Sequence, residues 1–239
     1  MHQTKRTFIK PDMKMSDLIA ENPRLLILLE HLNIDFVVSD KTVSLLCDEN
    51  SMPLKLFLLF GNLYNGYQPE VSHIGSPEDI KTILMFLKNS HIYYKEEKYP
   101  EILSYIKQIQ DKTQNNEVKL IENFFKDYFT EVLEHLDYEE TIAFPYIINL
   151  VEQKGKQENS DFSANEYREH HTDIETKLTD LKNLLLKHIQ ISNELPLRRK
   201  LFLALFELHF DLQLHAMIEE SILLPIIADI EKTMRNEQD

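Results

Sequence analysis

The sequence predicts an all-α protein: an up-down four-helix bundle preceded by a small helical N-terminal domain. Three observations carry this. Only 4 glycines occur in 239 residues, too few for the tight turns an antiparallel β fold needs. Four long helical segments with short joins fill the chain after residue 77. Two of those segments share an eleven-residue pattern that repeats at a fixed offset.

The N-terminal domain is expected over residues 1–66. Ser16 is a candidate cap for a short helix over DLIAEN. Pro23 opens RLLILLEHL, whose apolar residues cover most faces, and Asn33 ends it. Thr42 can cap TVSLLCDEN, and Pro53 opens PLKLFLLFGNLY. The stretch NGYQPEVSHIGSP holds two glycines and two prolines and reads as a linker.

The bundle is expected over residues 77–236. Ser76, Pro77, Glu78 and Asp79 read as N-cap, first-turn proline and two acids at the positive helix end. The first helix runs to about Asp111, with Pro100 inside it. The second spans about Glu117–Gln153, with Pro145 inside it and Gly155 beyond its end. The third starts near Ser163, which has capping-box spacing to Glu166, and ends near His188. The fourth spans about Leu195–Met234 and contains Pro225.

Net charge is −14, with 40 acidic against 26 basic side chains. Such a balance argues against nucleic acid and against anionic membrane surfaces, both of which need a basic face. Cys47 is the single cysteine, which excludes an internal disulfide or a multi-thiolate metal site. The N-terminus shows no secretory h-region, and the mostly apolar stretch Leu54–Leu63 is too short to span a bilayer. A cytoplasmic location is expected, with a homodimer as a possible assembly.

The repeat carries the chemistry. His135-Leu-Asp-Tyr-Glu139-Glu-Thr-Ile-Ala-Phe-Pro145 and His215-Ala-Met-Ile-Glu219-Glu-Ser-Ile-Leu-Leu-Pro225 both read H-x-x-x-E-E-x-I-x-x-P, 80 residues apart. Four residues along a helix turn about 400° and rise about 6 Å, so each histidine and its glutamate share one face. Imidazole and carboxylate together suit iron, manganese, zinc or copper. The same offset relates His91 to His171. An apolar stripe through Ile174, Leu178 and Leu181 includes His171, whereas His170 is in line with Asp173, Lys177 and Asp180. This places His171 inside and His170 outside.

Four imidazoles and two carboxylates exceed what one tetrahedral zinc takes and suit two octahedral ions. Both Glu139 and Glu219 then bridge, and two iron ions are preferred over two manganese ions. Ile142 and Ile222, seven residues after each histidine, are expected to form a dry layer beside the site. Glu140 and Glu220 read mainly as solvated. Tyr94 and Tyr138 are candidates for hydrogen bonds near the site, though bundle packing accounts for each.

These motifs, with the E-H-H segment of the third helix and SHIYYKEEKYPEIL over residues 90–103, resemble the hemerythrin-like (HHE) di-iron proteins. The RIC branch, iron–sulfur cluster repair proteins, is the most similar. NIDFVVSDKTVSLLCDEN, residues 33–50, is similar to the short ScdA-type domain that precedes the bundle in that branch. The resemblance implies iron ligands at His91, His135, Glu139, His171, His215 and Glu219, and an oxo-bridged pair of non-haem iron ions. It implies a role in nitrosative and oxidative stress defence, with iron–sulfur client proteins or NO and O2 as partners. The alternative it allows is reversible O2 or NO binding without turnover. One departure stands out. Many members carry Cys-Cys after the D-F of the small domain, but here Asp35-Phe36 is followed by Val37-Val38. A second is the lack of an extra histidine in YIKQIQDKTQ.

Overall fold

The computed structural model describes residues 6–68, 74–152, 167, 174–187, 189 and 193–236. The chain divides into two compact units, Met1–Asn89 and Ser90–Asp239. Among the described residues there is no strand, only an isolated bridge between Lys14 and Thr42. The protein is all-α, a small helical unit followed in sequence by a helical bundle.

In the first unit α1 spans Met15–Glu21, α2 Leu25–His31, α3 Val43–Glu49 and α4 Leu54–Tyr64, and α5 begins at Pro77. Thr42 caps α3 by accepting from the Leu45 N–H, as its position in the sequence predicts. Ser16 does not cap α1. The helix begins one residue earlier, at Met15, whose N–H donates to the Lys41 carbonyl. A tertiary pairing thus fixes the start and overrides the local cap signal. Asn33 ends α2 with φ 56°, a left-handed conformation asparagine tolerates. Leu25, Leu28, Leu29, Leu56, Phe57 and Phe60 are fully buried and form the core of this unit. Ser76 and Asp79 form a reciprocal cap at the start of α5. The Asp79 N–H donates to Ser76 Oγ, and Asp79 Oδ2 accepts from the Gly75 and Ser76 N–H groups and from Lys55 Nζ.

The second unit is built from long helices. α5 runs on to Ile92, a π-helical turn covers Tyr93–Lys98, and α6 follows over Tyr99–Thr113. A two-residue join, with Gln114 left-handed at φ 51°, leads to α7, Asn116–Tyr138. A second π turn, Glu139–Ala143, leads to α8, Phe144–Glu152. Then come α9, Ile174–Lys187, and α10, Leu195–Ile218. The third π turn, Glu219–Leu223, leads to α11, Leu224–Asn236. α6 packs on α7 and on α10, and α9 packs on the same two helices from the other side, which closes a four-membered ring. Gly155, Ser163 and Glu166 lie outside the described residues.

The prolines at 100, 145 and 225 each follow a π turn by two positions. In every case the residue before proline (Tyr99, Phe144, Leu224) donates its N–H to the carbonyl five residues back. A proline in a regular helix lacks an N–H and collides with the carbonyl four residues back, and a widened turn relieves that collision.

Ile222 is fully buried, but Ile142 is 46% exposed, so the expected symmetric apolar layer does not form. The run Leu195–Met234 is long and apolar enough by composition to cross a membrane, unlike Leu54–Leu63, and half of its apolar window is buried inside the protein. Leu201, Leu205, Leu208 and Leu212 within it are core residues of the bundle, whereas Leu195 and Leu203 are exposed.

Candidate metal centre

Each repeat delivers its histidine at the end of an α-helix and its glutamate at the first position of a π turn. The i, i+4 spacing survives this junction. His135 Nε2 lies 3.1 Å from Glu139 Oε1, and His215 Nε2 lies 3.1 Å from Glu219 Oε1. His91, one residue before the end of α5, brings Nε2 to 3.2 Å from Glu139 Oε2. Five of the six residues singled out in the sequence therefore converge. His171, and its competitor His170, lie outside the described residues.

The five form two groups that share one carboxylate. His91, Glu139 and His215 bring one ligand atom each within 4.8 Å of one another, and so do His135, Glu139 and Glu219. The two oxygens of Glu139 divide between them: Oε2 faces His91 and His215, and Oε1 faces His135. Glu139 and Glu219 are fully buried. Nε2 of His91, Oε2 of Glu139 and Nε2 of His215 are buried without a hydrogen-bond partner. Each such atom costs about 1–3 kcal/mol when left unmatched. Three of them aimed at one point fit a cation, and the nitrogen and carboxylate donor set fits a first-row transition metal.

Neighbours set the orientation of the imidazoles. His91 Nδ1 lies 2.8 Å from Glu140 Oε1, which also accepts from Lys95 Nζ at 2.8 Å. A carboxylate only accepts, so Nδ1 carries the proton and Nε2 is the atom left to bind a cation. Glu140 is thus a support for His91, a role the sequence reading gave little weight. The His91 hydrogen bond, opposed by partial burial and aided by Lys95, holds the Glu140 carboxyl down at about 2. His215 Nδ1 lies 2.8 Å from Ser90 Oγ, a hydroxyl that can donate or accept, so this bond orients the second ring without assigning its proton. Tyr94, fully buried, sets its ring edge-on to His215 and donates its hydroxyl to Asp211 Oδ2 at 2.8 Å.

Burial alone would raise the Glu139 carboxyl, but the imidazoles of His135, His215 and His91 set against it hold it well below the usual carboxylate range. Burial would lower His215, but the charges of Glu219 and Glu139 push it up to about 10. A buried carboxylate pair demands positive charge, which is the electrostatic signature of a cation site.

Sequence reasoning missed Tyr167. Its hydroxyl lies 2.7 Å from Glu139 Oε1 and 2.8 Å from Glu219 Oε1, and the side chain is 1% exposed. Burial, and then the charges of Glu219 and Glu139, push the phenol far above its ordinary range, so it is a neutral donor. The 80-residue offset could not find it, because the equivalent position is Leu87.

The family model described as the hemerythrin HHE cation binding domain matches residues 100–227. That span includes both repeats and Tyr167. His91 lies upstream of it, and its place rests on geometry. No curated protein and no solved structure matches the chain. With more than half of its length matched, a helical bundle, and a buried imidazole–carboxylate cluster on the repeated motif, the chain belongs to the hemerythrin HHE cation-binding domain family and is a metal-binding module.

Proposed function

We propose that the chain holds two non-haem iron ions and acts in nitrosative and oxidative stress defence, supplying or restoring iron at damaged iron–sulfur clusters in the manner of the RIC proteins. His91, His135, Glu139, His171, His215 and Glu219 would hold the ions. Bound iron supplies redox and ligand-exchange chemistry that no side chain here offers.

One observation carries the reading: a single buried carboxylate, Glu139, turns its two oxygens toward two separate groups of ligand atoms. The surrounding residues prepare the site. Glu140 and Ser90 hold the rings of His91 and His215. Phe144 stacks on His91 at 5.6 Å between ring centroids and shields it from water. Thiol chemistry has no place in this proposal. Val37-Val38 replaces the Cys-Cys pair, and Cys47 is fully buried, its thiol pushed up to about 12 by burial and by Asp48. Iron would therefore leave from the imidazole–carboxylate centre itself.

The test is metal analysis of protein purified anaerobically, followed by incubation of the iron-loaded protein with a cluster-depleted iron–sulfur enzyme. About two irons per chain and recovery of the client's activity are expected. Fewer than two irons rejects the centre. Two irons with reversible oxygenation and no recovery of any client rejects repair in favour of gas binding.

A further inference from the structure

The two ligand groups differ in one respect that the repeat does not dictate. Around His135, Glu139 Oε1 and Glu219 stands the hydroxyl of Tyr167, within hydrogen-bond distance of both carboxylates. Around His91, Glu139 Oε2 and His215 no described residue takes that part; Ser90 and Glu140 reach the far nitrogens of the rings instead. The hydroxyl carries one proton and faces two acceptors, so it donates to one carboxylate at a time.

We propose that Tyr167 is a positioning residue that makes the two metal positions unequal: its hydroxyl, donated to Oε1 of Glu139, holds that oxygen for the position served by His135 and so sets the affinity there, while Oε2, which faces His91 and His215, is left as it is. The inference rests on the two-ion reading and deepens it, because an iron donor needs one ion that leaves before the other. Three features support it. Glu139 and Glu219 come from different halves of the repeat, and the hydroxyl of Tyr167 reaches a carboxylate oxygen of each. It is buried, so water does not compete for the same oxygens. It contacts Oε1 of Glu139, whereas the other group is faced by Oε2. Partners that orient metal ligands typically contribute ten- to hundredfold to metal affinity.

The experiment is an anaerobic titration of the metal-free full chain with Fe(II), wild type against Tyr167→Phe, with chelator competition to resolve the two steps. The wild type should bind two ions. In Tyr167→Phe one step should weaken by about ten- to hundredfold, with the other unchanged within about twofold. Two unchanged steps, or two steps weakened alike, overturn the proposal while leaving the two-ion reading intact. A wild type that binds fewer than two ions rejects the two-ion reading itself, and this inference with it. An intense visible absorption of the ferric wild type that Tyr167→Phe abolishes shows the phenol bound directly to iron, and also overturns the hydrogen-bonding role. Should the variant lose helicity, wild-type protein labelled with 13C at tyrosine Cζ and titrated with Zn(II) decides: the Tyr167 signal must move with one binding step. Movement with both steps, or with neither, refutes it.

Discussion

Replacing Glu140 with alanine isolates the support of one imidazole from the metal ligands themselves. Glu140 Oε1 is 2.8 Å from His91 Nδ1 and 2.8 Å from Lys95 Nζ. His91 is fully buried, whereas the Glu140 side chain is 36% exposed. Removing the carboxylate takes away the acceptor of a buried N–H, a loss of about 1–3 kcal/mol. Because the vacated space opens to solvent, water can refill it, and the metal-free protein should lose about 1 kcal/mol, the lower end. The larger effect falls on the metal. With no acceptor at Nδ1, the ring is free to rotate or to change tautomer, and affinity at the position served by His91 should drop about ten- to hundredfold, or about 1.4–2.7 kcal/mol. Chelator competition on the full chain measures the affinity, and urea unfolding of the metal-free protein measures the stability. Glu140→Gln keeps a carbonyl acceptor and should lose less. Unchanged affinity in Glu140→Ala would refute the argument that this carboxylate orients His91.

Glu139→Ala should abolish binding of both ions, because Glu139 is the residue that both ligand groups share among the described residues; metal counting that finds one ion retained contradicts the sharing. Cys47 should resist thiol reagents at pH 8 in the folded protein and react on unfolding, as its burial and raised thiol demand; rapid labelling in native buffer contradicts this. Asp79 gives an acid-dependent contribution. Burial alone would raise its carboxyl, but Lys55 and the Gly75 and Ser76 N–H groups hold it below the ordinary value. Since the folded value is depressed, the stabilisation is complete above about pH 4, the unfolded range, and fades as pH falls through the folded value. Asp79→Ala should cost about 1–2 kcal/mol at pH 7, read by hydrogen exchange in α4 and α5, and the gap should close in acid. A gap that is constant from pH 7 to pH 2 argues against a charge effect.

Much of the centre was legible because the chain repeats itself. A fixed offset of 80 residues selects His91, His135, His215, Glu139 and Glu219, and the structure gathers those five. The same device hides what is not repeated. Tyr167 has Leu87 as its counterpart, so no pattern marks it, although a tyrosine four residues before the E-H-H histidine His171 was a signal in plain view. Glu140 was visible as the second acid of E-E, but the side of the helix it faces depends on the π turn that begins at Glu139. Periodicity at 3.6 residues has no term for such a turn. Ile142 and Ile222, by contrast, hold the same place in matching turns and differ in burial, so the packing around each helix and not the turn separates them. The displaced start of α1 has another origin: the Met15 N–H is satisfied by Lys41, far along the chain, and no local signal reports that.

The three π turns make the bundle intolerant of reframing. Each inserts a single step of about 100° into a helix whose two ends must both face inward. Excising one residue from Glu139–Ala143 would restore an ordinary helix and swing Phe144, Ile147 and Leu150 out of the core while leaving His135 in place. Anyone grafting this ligand motif onto a foreign scaffold must therefore carry the whole pentad and its trailing proline, since a shorter cut would transplant the donors and misdirect everything downstream of them.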